Sequence, residues 1–219
     1  MPFLNFLILI FINIKKPIHS KKINRPLGDV LLQKNLIIAI LAAAVGYSLM
    51  SFIMTATPLQ IVNVCKLGDS ASATVIQWHV IAMFAPSFFT GTIINSLGNR
   101  KVMMIGLFLY AFSISFTIIG QTIEHFWIAL FLCGLGWNFL YVGGSDIIAK
   151  SALPEERAKG QGITDFIIFI FVASGSFLAG ALHSTLGWEI MMFYTSIPIF
   201  ILFMSVIIIN PDGGIKARY

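Results

Sequence analysis

Long apolar runs separated by short polar segments dominate the chain. Six of these runs are about as long as a helix that crosses the hydrocarbon core of a bilayer, which takes roughly 20 residues. They cover residues 36–57, 74–95, 102–120, 126–148, 162–183 and 188–209. The chain is 58% hydrophobic and only 11% charged, against about 25% charged in ordinary soluble domains. The pattern therefore predicts an all-α polytopic membrane protein with a six-span bundle in residues 36–209.

Two segments precede the first of these spans. Residues 3–14 are apolar but too short to cross a bilayer, so we interpret residues 1–14 as the truncated end of a preceding transmembrane helix, with an interfacial anchor as the alternative. Residues 15–35 are rich in lysine and contain Pro17 and Pro26, which discourage a continuous helix. Because no aromatic residues lie between these cations, a cytoplasmic linker near anionic lipid is favoured over a nucleic-acid-binding arm.

The positions of the cations and tryptophans predict how the spans are threaded. With residues 15–35 and the tail, residues 210–219, in the cytoplasm, every Lys and Arg except Lys66 lies in a cytoplasmic segment. This is the positive-inside bias of helical membrane proteins. Trp78, Trp127 and Trp188 fall at the outer ends of spans, where an indole buries its ring and keeps its N–H hydrated. The chain is therefore predicted to have both termini in the cytoplasm.

A short basic turn with the sequence GTIINSLGNRK joins the second and third spans. Gly91 and Gly98 remove side chains where the two helix ends are expected to approach each other. Arg100 and Lys101 place cations at the membrane surface and keep them out of the hydrocarbon. The turn is thus predicted to be a tight cytoplasmic hairpin.

The order G-x-x-x-[D or N]-x-x-G-x-R-K in this turn resembles the loop signature of the major facilitator superfamily. The family more often has Asp at the position of Asn95, and an amide cannot form the ion pair of a carboxylate. The likeness continues through residues 134–139, residues 153–162, and Gly175 and Gly180 of the fifth span. It covers about residues 30–210 and is similar to one group of bacterial permeases, with a weaker likeness to riboflavin-type carriers.

The resemblance implies the C-terminal six-helix half of a twelve-span carrier in a bacterial inner membrane, working by alternating access. Its implied partners are a small-molecule substrate, a coupling proton, the lipid bilayer and an N-terminal six-helix half. Two alternatives stay open. The chain could be a six-span half-transporter that acts as a homodimer or with a separately encoded first half, or a remnant without transport activity.

Polar residues inside spans are costly in lipid, so they are the candidates for solute binding. Asn138 lies near the centre of the fourth span, beside Trp137 and three residues before Tyr141. Together they offer an amide, an aromatic wall and a hydroxyl, with helix–helix hydrogen bonding as the alternative for Asn138. Gln77 and His79 are candidates near the outer end of the second span, where His79 is either a proton-linked switch or a solvated histidine.

The candidates for gating combine the basic turn with two residues inside spans. Asp165 lies one turn inside the fifth span, where the helix dipole favours a carboxylate. The resemblance implies that Asp165 pairs with Arg100 or Arg157 and holds the cytoplasmic face shut. Pro86 can kink the second span. The full set is Gly91, Asn95, Gly98, Arg100, Lys101, Asp165 and Pro86.

The sequence argues against catalysis and against bound cofactors. It contains no H-E-x-x-H motif, no paired intramembrane aspartates and no Walker-type phosphate loop. Cys65 and Cys133 lie far apart without a histidine cluster, so neither a metal site nor a disulfide framework is expected. We expect no enzyme activity, no cofactor and no nucleic-acid partner.

Overall fold

A computed structural model of the protein describes residues 33–151 and 157–212, without the side chains of residues 157–159. The predicted end of a preceding helix, most of the linker and residues 213–219 of the tail lie outside the described residues. The elements in chain order are α1 (Lys34–Pro58), a π-helix (Leu59–Val64), α2 (Asp69–Phe84), α3 (Ser87–Leu97), α4 (Asn99–Ile119), α5 (Ile123–Ser151), α6 (Arg157–Leu186) and α7 (Trp188–Ile208).

The helices account for the predicted spans with one change. By length and composition, α1 with its π-helical extension, α4, α5, α6 and α7 can each cross a membrane. α2 and α3 qualify only together, as a pair bent by 45°. The sequence predicted this second span as one continuous run. In the structure the helix breaks at Pro86, which has no backbone N–H to continue it. Counting the bent pair as one span gives six, and the all-α architecture is confirmed.

α5 lies at the centre of the bundle and packs against α4, α1 and α2. Glycine marks the closest approaches between their backbones. A Cβ at Gly136 would lie 2.9 Å from the carbonyl oxygen of Gly106 in α4, and one at Gly144 would lie 2.7 Å from the carbonyl oxygen of Ala39 in α1. Small residues allow this approach, which is how helices associate in a lipid environment that supplies little hydrophobic driving force between them.

α6 packs mainly on α1, and serine side chains join the two helices. The hydroxyl of Ser48 donates to the carbonyl oxygen of Phe171 at 2.8 Å, and the hydroxyls of Ser51 and Ser176 share a hydrogen bond. Most of the remaining surface of α6 is uncovered in the described bundle. This leaves one side of α6 free for lipid or for another helical unit.

The tryptophans at the outer ends of the helices are held by protein contacts. The rings of Trp78 in α2 and Trp127 in α5 meet edge to face, with centroids 5.7 Å apart. Trp188 is buried, and its indole N–H donates to the carbonyl oxygen of Thr117 at 3.0 Å. The expectation of a hydrated N–H is therefore wrong for Trp188, because the end of α4 supplies the acceptor instead of water.

Candidate functional site

Aromatic side chains from α1, α2, α5 and α6 form one continuous cluster, which we call the aromatic surface. Trp137 and Tyr141, one helical turn apart on α5, stack with ring centroids 5.1 Å apart and planes within 8°. Tyr47 of α1 meets both rings edge-on, at 5.1 and 5.6 Å. Phe84 of α2 packs edge-on against Trp137 at 5.7 Å, and Phe169 of α6 lies 6.3 Å from Tyr47. The sequence identified only the two α5 members, because the others join through helix packing.

The aromatic surface is open at its margins and closed at its centre. Phe84 and Phe169 are 57% and 59% exposed, whereas Trp137 is only 4% exposed. The indole N–H of Trp137 nevertheless has no hydrogen-bond partner among the described residues. Buried indole N–H groups normally find an acceptor, so this donor is left unsatisfied by the described residues. A surface of aromatic faces with a free donor suits a planar ring that carries acceptors.

Asp165 of α6 adjoins this surface. Its carboxylate lies within electrostatic reach of Tyr141 and accepts a hydrogen bond from the Gln161 side chain at 2.8 Å. The expected pairing with Arg100 is absent from the described structure, because the Arg100 guanidinium instead donates to the carbonyl oxygen of Ile207 at 2.8 Å. The side chain of Arg157, the other expected partner, lies outside the described residues. Asp165 therefore lies beside the aromatic surface and not at the basic turn.

Asn138 is fully buried and hydrogen-bonds neighbouring helices at both ends of its amide. Its Nδ2 donates to the carbonyl oxygen of Met83 and to the hydroxyl of Ser87, both at 2.7 Å. Its Oδ1 accepts from the hydroxyl of Thr90 at 2.6 Å. The structure thus contains the helix–helix hydrogen bonding that the sequence left as the alternative for this residue. Contact between Asn138 and a solute stays a prediction.

Gln77 and His79 face different ways, as their spacing of two residues predicts. Gln77 is exposed and lies two turns before Phe84, on about the same face of α2. His79 is fully buried, with Nδ1 2.7 Å from the carbonyl oxygen of Leu130. Since a carbonyl only accepts, Nδ1 carries the proton, and the buried Nε2 has no partner among the described residues. The interpretation of His79 as a solvated histidine is therefore wrong.

Within the basic turn, a single residue, Gly98, connects the end of α3 to the start of α4. Gly98 has φ +85, and a Cβ there would lie 2.8 Å from Oδ2 of Asp212. Asp212 follows α7 and accepts hydrogen bonds from the backbone N–H groups of Asn99 and Arg100 at 3.1 and 3.0 Å. A carboxylate at this place caps the N-terminus of α4. The sequence predicted the glycine but not the partner, which comes from the far end of the chain.

The other residues of the turn have fewer contacts. The expectation of a close approach at Gly91 is wrong, since a Cβ there would meet nothing within 4 Å in the described structure. Asn95 and Lys101 are exposed. Next to the turn, the amide of Asn99 donates to Asp146 at 2.9 Å. Asp146 also forms the ion pair with Lys150 that their spacing of four residues predicts.

A polar cluster that the sequence did not indicate lies at the opposite end of the bundle. Gln60 of the π-helix is buried, donates to the side-chain oxygen of Gln121 at 2.7 Å and lies 2.9 Å from Nε2 of His183. These side chains line a cavity of about 360 Å³, together with Trp188 and Glu189. Among the described residues, no group of three or more His, Cys, Asp or Glu side chains could hold a metal ion. The cluster therefore offers hydrogen-bonding side chains to the cavity.

Comparison with known proteins gives a family and a set of relatives. The sequence profile of the Major Facilitator Superfamily matches residues 36–217. A riboflavin transporter, RfnT of Brucella anthropi, is 46% identical over 165 residues, which are 75% of this chain and 41% of that protein. An uncharacterized MFS-type transporter, YdeG of Bacillus subtilis, is 35% identical over 153 residues, which are 68% of this chain and 35% of that protein.

A more distant similarity connects the chain to a second riboflavin transporter. RibZ of Clostridioides difficile is 22% identical over 137 residues, covering 63% of this chain and 30% of that protein. The matched part of the chain thus spans less than half the length of each of these curated relatives.

Proposed function

The chain belongs to the major facilitator superfamily, and we propose that it forms the C-terminal six-helix half of a twelve-span carrier that moves a small solute by alternating access. It is an integral, multi-pass membrane protein. In this proposal residues 1–14 end the preceding span, residues 15–35 link the two halves and residues 210–219 form the tail. We assign both ends of the six-span bundle to the cytoplasmic side because of the cation bias, and we propose a bacterial inner membrane as its location.

We propose riboflavin, or a closely related flavin, as the solute. The aromatic surface carries this proposal, because the stacked Trp137 and Tyr141 with the edge-on Tyr47 suit a flat heteroaromatic ring. In this proposal the indole N–H of Trp137, which is buried and unsatisfied in the described structure, donates to an acceptor atom of such a ring. Two relatives, at 46% and 22% identity, are riboflavin transporters, which supports the same substrate.

Other residues are assigned roles around the aromatic surface. Gln77 extends the surface along α2 and offers its amide to the polar chain of the flavin. We assign the coupling proton to His79, whose unpartnered, buried Nε2 is free to accept it. Asp165 borders Tyr141 and places a carboxylate at the edge of the site.

The moving parts in this proposal lie at the cytoplasmic end and at the break in the second span. Gly98, Arg100 and the cap from Asp212 tie the start of α4 to the end of α7. Gly91, Asn95 and Lys101 lie on the exposed side of the same turn, where they can meet the first half as the carrier closes. Pro86 is the hinge of the bent pair.

A second arrangement is a carrier assembled from two copies of this chain or from this chain and a separately encoded first half. The mass of the detergent-solubilised complex, measured by light scattering, distinguishes these arrangements. A monomer that neither binds flavin nor associates with another half supports the remnant without transport activity.

Riboflavin binding tests the proposal directly. Stacking on aromatic side chains quenches flavin fluorescence, so titration of the purified protein in lipid nanodiscs should give a saturable loss of emission. Trp137→Ala should weaken binding by about 10-fold, since one stacking contact contributes roughly 1–3 kcal/mol. Uptake of labelled riboflavin into proteoliposomes then measures transport.

The matched control lies on the same helix. Trp127 stacks on Phe131 with centroids 5.5 Å apart, but this pair is not part of the aromatic surface. Trp127→Ala should leave riboflavin binding unchanged. Equal losses in the two variants, or no quenching with the unaltered protein, would contradict the proposed substrate.

A further inference from the structure

We propose that Asn138 is a brace for the broken second span: its amide holds the bend between α2 and α3 and so positions Phe84 against Trp137 on the aromatic surface. In this role Asn138 is a positioning residue and does not touch the solute. The effect on flavin binding rests on the proposed function, whereas the brace itself rests on the geometry of the break.

The amide of Asn138 contacts both sides of the break at once. On the α2 side, Nδ2 donates to the backbone carbonyl of Met83. On the α3 side, Nδ2 donates to Ser87 and Oδ1 accepts from Thr90. A carbonyl can only accept, so the contact with Met83 fixes which end of the amide is the nitrogen. One side chain of α5 therefore joins the two halves of the bent span.

The backbone at Pro86 cannot hold the bend by itself. Proline lacks the N–H that would bond to the carbonyl oxygen of Ala82, so the helix ladder is interrupted there. The hydroxyl of Thr90 lies 2.8 Å from the carbonyl oxygen of Pro86 and 2.6 Å from Oδ1 of Asn138. A hydroxyl has one proton, so Thr90 donates to one of these acceptors at a time. Thr90 can therefore donate either within its own helix or to Asn138.

The brace and the aromatic surface use adjacent residues on both helices. On α5, Asn138 follows Trp137, and on α2, Phe84 follows Met83. Asn138 bonds Met83 while Trp137 contacts the ring of Phe84. A change in the bend that shifts the end of α2 therefore moves Phe84 relative to the indole. Because both ends of the fully buried amide are already hydrogen-bonded to protein, its effect on a solute has to pass through the break.

Two measurements on one set of variants test the brace. The first is hydrogen–deuterium exchange of the backbone amides of residues 83–90, and the second is the riboflavin titration. Asn138→Ala and Thr90→Val should both speed exchange and weaken riboflavin binding. We expect about 5-fold weaker binding for Thr90→Val, the effect of one lost neutral hydrogen bond, and more for Asn138→Ala. Thr90→Ser keeps the hydroxyl and should behave like the unaltered protein.

The chain provides a matched control in Thr57. This residue is also fully buried, but its hydroxyl donates to the carbonyl oxygen of Ile53 within its own helix, at 2.7 Å. Thr57→Val should leave both measurements unchanged. In the combined variant, Thr90→Val should add less to Asn138→Ala than it causes alone, because the two residues share one hydrogen bond.

The outcomes separate the brace from the proposed substrate. Weaker binding in Asn138→Ala with unchanged exchange at residues 83–90 means that Asn138 touches the flavin directly, and it overturns the brace. Unchanged exchange in both variants overturns it as well. If the unaltered protein does not bind riboflavin, the proposed substrate is wrong, while faster exchange in both variants still supports the brace.

Discussion

Asp212 caps the first turn of α4 at Arg100, with its Oδ2 3.0 Å from the Arg100 backbone nitrogen across 112 positions of the sequence. The guanidinium of Arg100 also donates a hydrogen bond to the carbonyl oxygen of Ile207, at the C-terminal end of α7. The order of residues in the basic turn therefore has a structural role inside this bundle. It joins α4 to α7 and the segment that follows it.

Removing this cap should destabilise the bundle. Asp212→Ala leaves the first backbone N–H groups of α4 without their acceptor, which costs about 1 kcal/mol for a helix N-cap. Thermal unfolding in detergent measures the loss. Asp212→Asn keeps a side-chain oxygen and should retain most of the stability, because Asn is as good a cap as Asp. Equal destabilisation by both substitutions would show that charge, and not capping, is what matters.

The two glycines of the signature turn should respond in opposite directions to alanine. Gly98→Ala places a Cβ at φ +85 and against Oδ2 of Asp212. The left-handed conformation alone costs a non-glycine residue about 1–2 kcal/mol, so we expect lower stability. Gly91→Ala meets open space inside α3, where alanine is favoured over glycine by about 1 kcal/mol. Unfolding temperatures of the two variants check this contrast, and a loss at Gly91 as large as that at Gly98 would contradict it.

The threading predicts that Lys66 and Lys101 lie on opposite sides of the membrane. In a protein that carries Cys65→Ala, the further substitution Lys66→Cys should give a cysteine that reacts with a membrane-impermeant maleimide added outside intact cells. A cysteine that replaces the exposed Lys101 should react only after the cells are opened. Labelling of both positions from outside would overturn the topology and the assignment of the cytoplasmic turn.

The proposed site should prefer riboflavin over its phosphorylated form. The cations whose side chains the structure describes lie near helix ends or in loops, at Lys34, Lys66, Arg100, Lys101 and Lys150, whereas Asp165 borders Tyr141. A phosphate group beside Tyr141 would therefore meet the Asp165 carboxylate, which is unfavourable away from water. Competition of flavin mononucleotide against riboflavin in the fluorescence titration measures the preference. Equal competition by the two flavins would contradict this preference and would indicate a cation at the site besides these five.

The sequence by itself determined the class of the protein, the six spans and the candidate turn. These properties are local, because hydropathy, proline positions and cation placement act within a window of about one span. The bend at Pro86, the stacking of Trp137 on Tyr141 and the ion pair of Asp146 with Lys150 are also local, since they involve residues a turn or less apart.

Only the tertiary structure decided which polar groups meet. Arg100 binds the end of α7 and not Asp165, His79 is buried against Leu130, and Asn138 spans the break of a neighbouring helix. Each of these contacts joins residues more than 50 positions apart and depends on which faces of two helices pack together. Several apolar faces of similar composition were equally available to each helix, so hydropathy could not select the pairing. Close backbone approach at glycines, which depends on shape, selected it instead.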